Sequence, residues 1–385
     1  NREGRHTIDK LLSEQDKFNF TVTTLFSVEH GIRGNADAGL GDDNHIDKQS
    51  GLPIISLYGR DNDGRVRAHP TDMQLFDVVI DVLQDVGVRY FTYTISMHHM
   101  LESLQKYHKQ FMVFDRPNPL GSHVYGPILE EENISGIGMH PVPMVHGLTS
   151  GEFARIIVNE GWLTHFDDSN WKAFGINAYQ FPPEDLTVIA MGNYTHDSPY
   201  SLPVRPSPNL RSDLAIHLYP SLGLFEATSV NMGRGSDHPF EQLGFPSRKF
   251  YTNSCYHVDI NQQKTGWPQA GKEVCGEEFT AANVADIKPT IRYFVEWWFK
   301  FKTAGYSMVI PPQMEAKYLD YQEEYFLIRP LWLAKLTGTR NLTKLMEEAG
   351  ERKLSLDETV NYLESSWQPG IDNYLKLREK YKIYP

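Results

Sequence analysis

The chain has 385 residues and a formal net charge of −12, long enough for one large domain or two ordinary ones. Hydrophobic residues at 40% and charged residues at 22% are those of an ordinary globular protein, and no run of about 18 apolar residues reads as a membrane-spanning helix. The acidic balance argues against nucleic acid as a partner, because affinity for phosphates comes mainly from cationic neutralisation.

In chain order, residues 7–14 carry Ile8, Leu11 and Leu12 at helical spacing, and residues 20–28 read as a buried strand. Residues 37–49 form a Gly/Asp-rich loop, and 52–57 are a second apolar run before the turn GRDNDGR. A strand is expected over 75–83, a helix over 97–108 and a strand over 111–114. Thr149 with Glu152 three residues on is a capping box that opens a helix over 149–162, and 187–190 is a further strand. The proline-rich stretch 199–208 marks a domain boundary. Beyond it come a Gly/Asn/Arg loop at 228–239, a strand at 256–260, and helices at 289–302, 342–353 and 355–367.

Strand–helix alternation in the first half predicts a mainly parallel α/β sheet with helices on both faces. Its apolar runs end in charged loop residues: Glu29-His30, Asp85 with Arg89, and Asp115-Arg116. The carboxyl ends of parallel strands form the rim where ligands sit, so these groups are expected on one active-site edge.

Several chemistries are excluded. The glycines at 31, 34, 39 and 41 do not fit a dinucleotide fingerprint, and Asp37, Asp42 and Asp43 repel a pyrophosphate. P-loop and nucleophile-elbow motifs are absent. His98-His99, His140 and His146 lack zinc spacing and read as surface or loop histidines, so neither metal nor cofactor is expected. Cys255 and Cys275 form one bridge if the protein is exported, or stay as two thiols. The opening NREGRHTIDKLL has no apolar stretch of a signal peptide.

Carboxylates remain. Glycoside hydrolysis uses acidic groups flanking the scissile bond, one of them protonated at working pH. Glu29 is the best candidate acid, because partial burial at the end of an apolar run would raise its pKa; the alternative is a loop ion pair with Arg33. Asp85 and Asp115 are further candidates, set against pairing with Arg89 and Arg116. Arg33, Arg89, Arg116 and Arg234 are either solvated or, gathered on one rim, a receptor for a carboxylate.

The segments LFSVEHGIRGNADAG (25–39), SGLPIISLYG (50–59), QDVGVRYFTY (84–93), FDRPNPLG (114–121), HGLTSGEFA (146–154), RPSPNL (205–210), FEATSVNMGRGSDHPFEQLGFP (225–246) and LREKYKIYP (377–385) together resemble the NamZ-type exo-β-N-acetylmuramidases. These are bacterial peptidoglycan hexosaminidases long catalogued as a domain of unknown function. The resemblance implies a Rossmann-like N-terminal domain, drawn here as 1–205, and a smaller C-terminal α/β domain, 206–385, with the site between them. It implies release of N-acetylmuramic acid from non-reducing ends of peptidoglycan fragments, outside the cytoplasm, and places the family's catalytic glutamate on Glu29. His30, Asn118, His146, Ser207 and Asn209, within these blocks, are expected at the substrate. One of the four arginines would clamp the lactyl carboxylate, Arg89 or Arg234 being the expected one. The second catalytic group is left among Asp85, Asp115, Glu226 and Tyr93. The family pattern opens on a strand, whereas this sequence starts around the Asn that follows it, so that strand is expected to be either missing or supplied by residues outside the sequence. Asn193-Tyr194-Thr195 replaces a usual Trp-Arg, and Glu226-Ala227-Thr228-Ser229 replaces E-G-T-N. A non-catalytic sugar-binding protein on the same scaffold is the alternative function.

Overall fold

The computed structural model describes residues 5–33, 45–57, 68, 70–105, 107–164, 181–250, 254–261 and 266–385. The expected 37–49 loop up to residue 44, and the 59–65 turn, lie outside them.

The expected first-half strands form: those at 20–28, 52–57 and 75–83 are shorter than their apolar runs, and those at 111–114 and 187–190 begin one residue earlier. β1 (Leu25–Ser27) pairs in parallel with β3 (Pro53–Ser56), and the short β2 (His45–Ile46) runs antiparallel on the other side of β3. β4 (Val78–Asp81), β5 (Gln110–Phe114) and β6 (Leu186–Ile189) form a second sheet, all parallel. The single large sheet expected from the alternation is thus two small ones among the described residues. In the second half β7 (Gln242–Phe245), β8 (Ser254–His257) and β9 (Glu273–Glu278) make an antiparallel sheet in the order β7-β9-β8. Cys255 and Cys275, directly opposite in the β8–β9 register, are bridged. β10 (Ser307–Val309) and β11 (Tyr325–Leu327) pair in parallel. The whole is a mixed α/β structure.

The helices are α1 (Thr7–Phe18), α2 (Tyr93–Gln105), α3 (Ser150–Asn159), α4 (Asp213–Leu222), α5 (Arg292–Thr303), α6 (Pro330–Thr337), α7 (Asn341–Glu351) and α8 (Leu356–Glu379). Among the described residues none is long and apolar enough to cross a membrane. The Thr149–Glu152 capping box opens α3 as expected. α8 does not stop at Trp367: it continues through Pro369 and buries Val360, Leu363, Trp367, Ile371 and Tyr374 along one face. That stripe outweighs the hydrogen bond the proline removes. One continuous apolar core runs from Val28 to Tyr374 and includes residues of both halves.

The histidines expected on the surface are interior. His98, His99, His140 and His146 are all buried. His98 Nδ1 lies 3.0 Å from His140 Nε2, and His99 Nδ1 lies 2.8 Å from Glu102 Oε2. Burial, and then the neighbouring histidines, hold His140 well below its ordinary pKa, so it is neutral at pH 7.

Asp81, at the end of β4, is buried, and burial pushes its carboxyl up to about 6 despite the Leu83 N–H on Oδ1 at 2.8 Å and nearby Arg116. The folded chain therefore holds this proton more tightly than the unfolded chain. Ionising Asp81 costs stability above about pH 6 and nothing below about pH 4. Asp81→Asn keeps the Oδ1 acceptor and is expected to raise the stability at pH 7.5 by up to about 3 kcal/mol. The gain should fade as thermal melts are taken down to pH 4; an equal gain at both ends would refute the assignment.

Candidate active site

β1 ends in a tight turn. Gly31 N–H donates to the Val28 carbonyl at 3.0 Å, with His30 and Gly31 both in the left-handed region (φ 72° and 76°). Gly31 takes that conformation without steric cost, whereas His30 is held in it by its buried surroundings. The turn leaves Glu29 half-buried, and the Thr92 hydroxyl donates to Glu29 Oε2 at 2.5 Å. Thr92 immediately precedes α2, whose first turn bonds back to its carbonyl. Strand end and helix start are thereby joined at the carboxyl group.

Aromatic rings continue from this point. Phe91 packs on Tyr93 (4.7 Å between centroids) and on Tyr219 of α4 (6.4 Å); Tyr219 packs on Tyr90 (5.2 Å) and Phe240 (5.0 Å). The Arg234 guanidinium lies over Phe240 at 5.0 Å and over Trp267 at 4.1 Å. Arg234 Nη2 donates to Glu226 Oε1 at 2.8 Å, and Trp332 Nε1 reaches Glu226 Oε2 at 3.4 Å. Arg329 is sandwiched between Tyr318 (4.9 Å) and Trp332 (4.6 Å), and its Nη1 reaches the Glu226 carbonyl at 3.4 Å. The Tyr219 hydroxyl is held far above its ordinary pKa by burial, then by Glu226, with Glu29 contributing in the same direction. Tyr93, its hydroxyl on the Pro206 carbonyl at 3.2 Å, is pushed up by burial, then by Glu29 and Asp85. Rings in contact thus run from Phe91 and Tyr93, which flank the Thr92 that holds Glu29, through Tyr219 and Phe240 to Arg234 and Glu226, and Asp85 raises Tyr93 in the same direction as Glu29.

Asp85 is buried, with Oδ1 accepting from Gly87 N–H at 2.6 Å and lying 3.7 Å from His146 Nε2. Asp85 Oδ2 and His146 Nε2 make no hydrogen bond among the described residues. His146 Nδ1 accepts from Leu148 N–H, which puts the ring proton of the neutral imidazole on Nε2, facing the carboxylate.

Other expected site residues are placed elsewhere. Arg33 is paired with Asp47 at 2.6 Å and lies 3.6 Å from Asp9; it ties α1 to the β2–β3 connection. Arg89, expected as a clamp, is buried, and its guanidinium donates to the carbonyls of Pro127 (3.1 Å), Val142 (2.6 Å) and Leu336 (2.9 Å). Burial pulls its pKa down to about 9. Asp115, expected to be catalytic, accepts from Arg116 N–H, Gly151 N–H, Thr149 Oγ1 and Tyr384 OH at 2.7–2.9 Å. It holds the start of α3 to the C-terminal tail. Arg116 reaches Thr7 Oγ1 at 3.2 Å. Asn118 donates to the Leu148 carbonyl and accepts from Leu120 N–H, fixing a turn. Ser207 accepts from Asn209 and Leu210 N–H groups, fixing another; Asn209 beside it is half-buried.

The reading by residue type missed Thr92, Tyr219, Phe240, Trp267, Arg329 and Trp332. For the four aromatic residues the available signal was the aromatic content of 12%, which carries no positions; Thr92 and Arg329 had no such signal. The sequence departures fall on packed positions: Tyr194 OH accepts from Asn118 N–H and its ring packs on Tyr384 at 4.9 Å, and Ser229 is fully buried, its N–H on the Phe326 carbonyl.

Family models for the N-terminal and C-terminal parts of the exo-β-N-acetylmuramidase NamZ match residues 1–214 and 217–384. The peptidoglycan β-N-acetylmuramidase NamZ of Bacillus subtilis (strain 168) is 36% identical over 392 aligned positions, covering 100% of this chain and 84% of that protein. Two crystal structures of DUF1343 family proteins from Bacteroides fragilis NCTC 9343 are similar, each covering 99% of this chain and 90% of the other. One has TM-score 0.75 at 31% identity; the other, at 0.69 and 21%, shares the fold.

The three carbonyl acceptors of Arg89 have a direct consequence. Arg89→Met takes this donor from the buried Pro127 and Leu336 carbonyls, while the Val142 carbonyl keeps the Leu129 N–H, and is expected to lower the urea-extrapolated stability by about 3 kcal/mol. A loss under about 1 kcal/mol would return Arg89 to the list of ligand-binding residues.

Proposed function

The chain belongs to the exo-β-N-acetylmuramidase NamZ family, and we propose on that footing that it is an exo-acting glycoside hydrolase that releases N-acetylmuramic acid from the non-reducing ends of peptidoglycan fragments. The observation that carries the mechanism is the shared neighbourhood of Glu29 and Asp85 around Tyr93, with the Glu226–Arg234 pair reached through Tyr219.

Glu29 is the general acid. Thr92 fixes one of its oxygens, which orients the carboxyl so that it hands its proton to the departing glycosidic oxygen. Asp85 is the second carboxylate: Glu226 is already paired, Asp115 is saturated with donors, and Asp85 Oδ2 has no hydrogen-bond partner among the described residues. It either stabilises the positive charge that develops at the anomeric centre or orients the acetamido group that does so. Arg234 is the clamp for the lactyl carboxylate. Glu226 occupies its Nη2, while its buried Nε has no partner among the described residues. A guanidinium held 4.1 Å over the Trp267 ring is pre-organised for a second carboxylate. Trp267 and Trp332 offer faces for the pyranose ring. The chain divides near residue 205, and its two parts close on this cleft. The Cys255–Cys275 bridge supports an exported protein, since such bonds persist in oxidising compartments.

Two tests follow. Glu29→Gln is expected to lower kcat on a muramyl disaccharide, whose leaving group is a poor one, by about 10³-fold. An activated nitrophenyl muramide, which needs less protonation, should lose much less, whereas Asp85→Asn should slow both substrates alike. Disaccharide activity within tenfold of wild type in Glu29→Gln would remove it as the acid. Arg234→Met is expected to reduce kcat/KM on a nitrophenyl muramide at least 30-fold more than on the matching N-acetylglucosaminide, about 2 kcal/mol of discrimination. Equal losses would exclude the clamp.

A further inference from the structure

A cavity of about 590 Å³ lies beside the Arg234 loop, within the roughly 300–1,000 Å³ range of small-molecule sites. Two chain segments form its near wall, and each adjoins a residue in contact with the candidate active site. One is the turn ending at Asn209; three residues earlier, the Pro206 carbonyl accepts the Tyr93 hydroxyl. The other begins at Gly235, the residue after Arg234. Arg211 staples the two, its Nε donating to the Pro208 carbonyl (2.9 Å) and its Nη1 to the carbonyls of Ser236 (3.3 Å) and Asp237 (3.4 Å). β8, pinned by the Cys255–Cys275 bridge, supplies the far wall with Tyr256 and His257.

The lining states what it accepts. It consists mainly of amides, hydroxyls, imidazoles and carboxylates around one aromatic ring, so it is not built for an apolar ligand. It is not an anion receptor either: the carboxylates of Asp237, Asp259 and Glu278 outnumber the Arg211 guanidinium, which three carbonyls already occupy. A neutral ring bearing hydroxyl and acetamide groups meets such a surface with paired donors and acceptors. We infer that this cavity is the subsite for the leaving saccharide, a neutral N-acetylated amino sugar, while the carboxylate-bearing muramyl ring is held at Arg234. The inference rests on the muramidase reading and extends it. It divides the substrate by charge: the acidic ring goes to the arginine, the neutral one to the acidic cavity.

His257 is exposed, lies on the edge strand β8 and has no part in the catalytic groups above. His257→Ala removes a wall contact and His257→Trp fills the space. On a muramyl disaccharide, kcat/KM should fall about fivefold and at least 20-fold respectively, while a nitrophenyl muramide stays within twofold of wild type. Parallel changes on both substrates, or none on the disaccharide, would overturn the subsite. Saturation-transfer NMR with methyl N-acetyl-β-glucosaminide decides it without turnover: a signal in the wild-type chain that is lost in His257→Trp supports it, and a signal absent or unaltered refutes it. Failure of the wild type to cleave either muramyl substrate would instead sink the muramidase reading, leaving sugar binding in the cavity to the NMR result alone.

Discussion

The site depends on how Tyr219 is held. α4 ends at a proline-containing turn, and the Tyr90 hydroxyl donates to the carbonyls of Tyr219 (3.2 Å) and Pro220 (2.9 Å). The Tyr219 carbonyl also takes the Gly223 N–H, while the Pro220 carbonyl, in the last turn of α4, needs a partner from outside the helix. The capping group comes from the 86–91 segment, so a helix terminus of the second half is satisfied by a tyrosine of the first. Gly223 completes the joint, since a Cβ there would lie 2.8 Å from the Tyr90 hydroxyl. With backbone fixed on both sides, the Tyr219 ring has one place to go, between Phe91 and Phe240. Glu29 and the Glu226–Arg234 pair keep their relation because close-packed rings transmit position without slack.

What was legible in the sequence follows a physical line. The place of Glu29, after a strand and before a tight glycine turn, was legible because both signals are local. The strands and the Thr149 capping box were visible for the same reason. Arg89 and Asp115 sat in equally rim-like settings and were misread. The partners that commit them are remote: Leu336 lies 247 residues from Arg89, and Tyr384 lies 269 from Asp115. Nothing in the Gly87-Val88-Arg89 or Phe114-Asp115-Arg116 segments signals a carbonyl or hydroxyl supplied from the far end of the chain. The end of α8 was hidden differently. Pro369 is a local stop signal, and the buried stripe that overrides it is visible only once α8 has something to pack on.

The four arginines first grouped as one class separate by their acceptors. Arg89, with three neutral carbonyls on its two terminal nitrogens, is a cross-brace whose charge is buried and whose Nη groups are both engaged by backbone. Arg33, paired with Asp47, neutralises a carboxylate that this contact holds far below its ordinary pKa. Arg234 differs in kind. Its single carboxylate partner is shared with Trp332, and an aromatic face presses on the guanidinium plane. An arginine so arranged is rigid yet incompletely paired, which is the condition for recognising a further anion. Arg329, stacked between Tyr318 and Trp332, adds a second positive charge to the same wall.

The C-terminal segment has a part in the site although none of its residues lies there. The Tyr374 hydroxyl donates to the His146 carbonyl at 2.7 Å, and Arg378 Nη1 donates to the Ser122 carbonyl at 2.9 Å. Further along, Ile383 N–H bonds to Glu152, and Tyr384 to Asp115. The loop that aims His146 at Asp85 is thus clamped by the last helix, and the strand end that precedes Asn118 by the last residues. Asp85 sits on a short loop held by the Gly87 N–H on its carboxylate, by Gln84 on its carbonyl and by the His146 N–H on the Gly87 carbonyl. A change in the tail therefore reaches Asp85 through the His146 segment, whereas Glu29 is held by Thr92, with which the tail makes no hydrogen bond among the described residues.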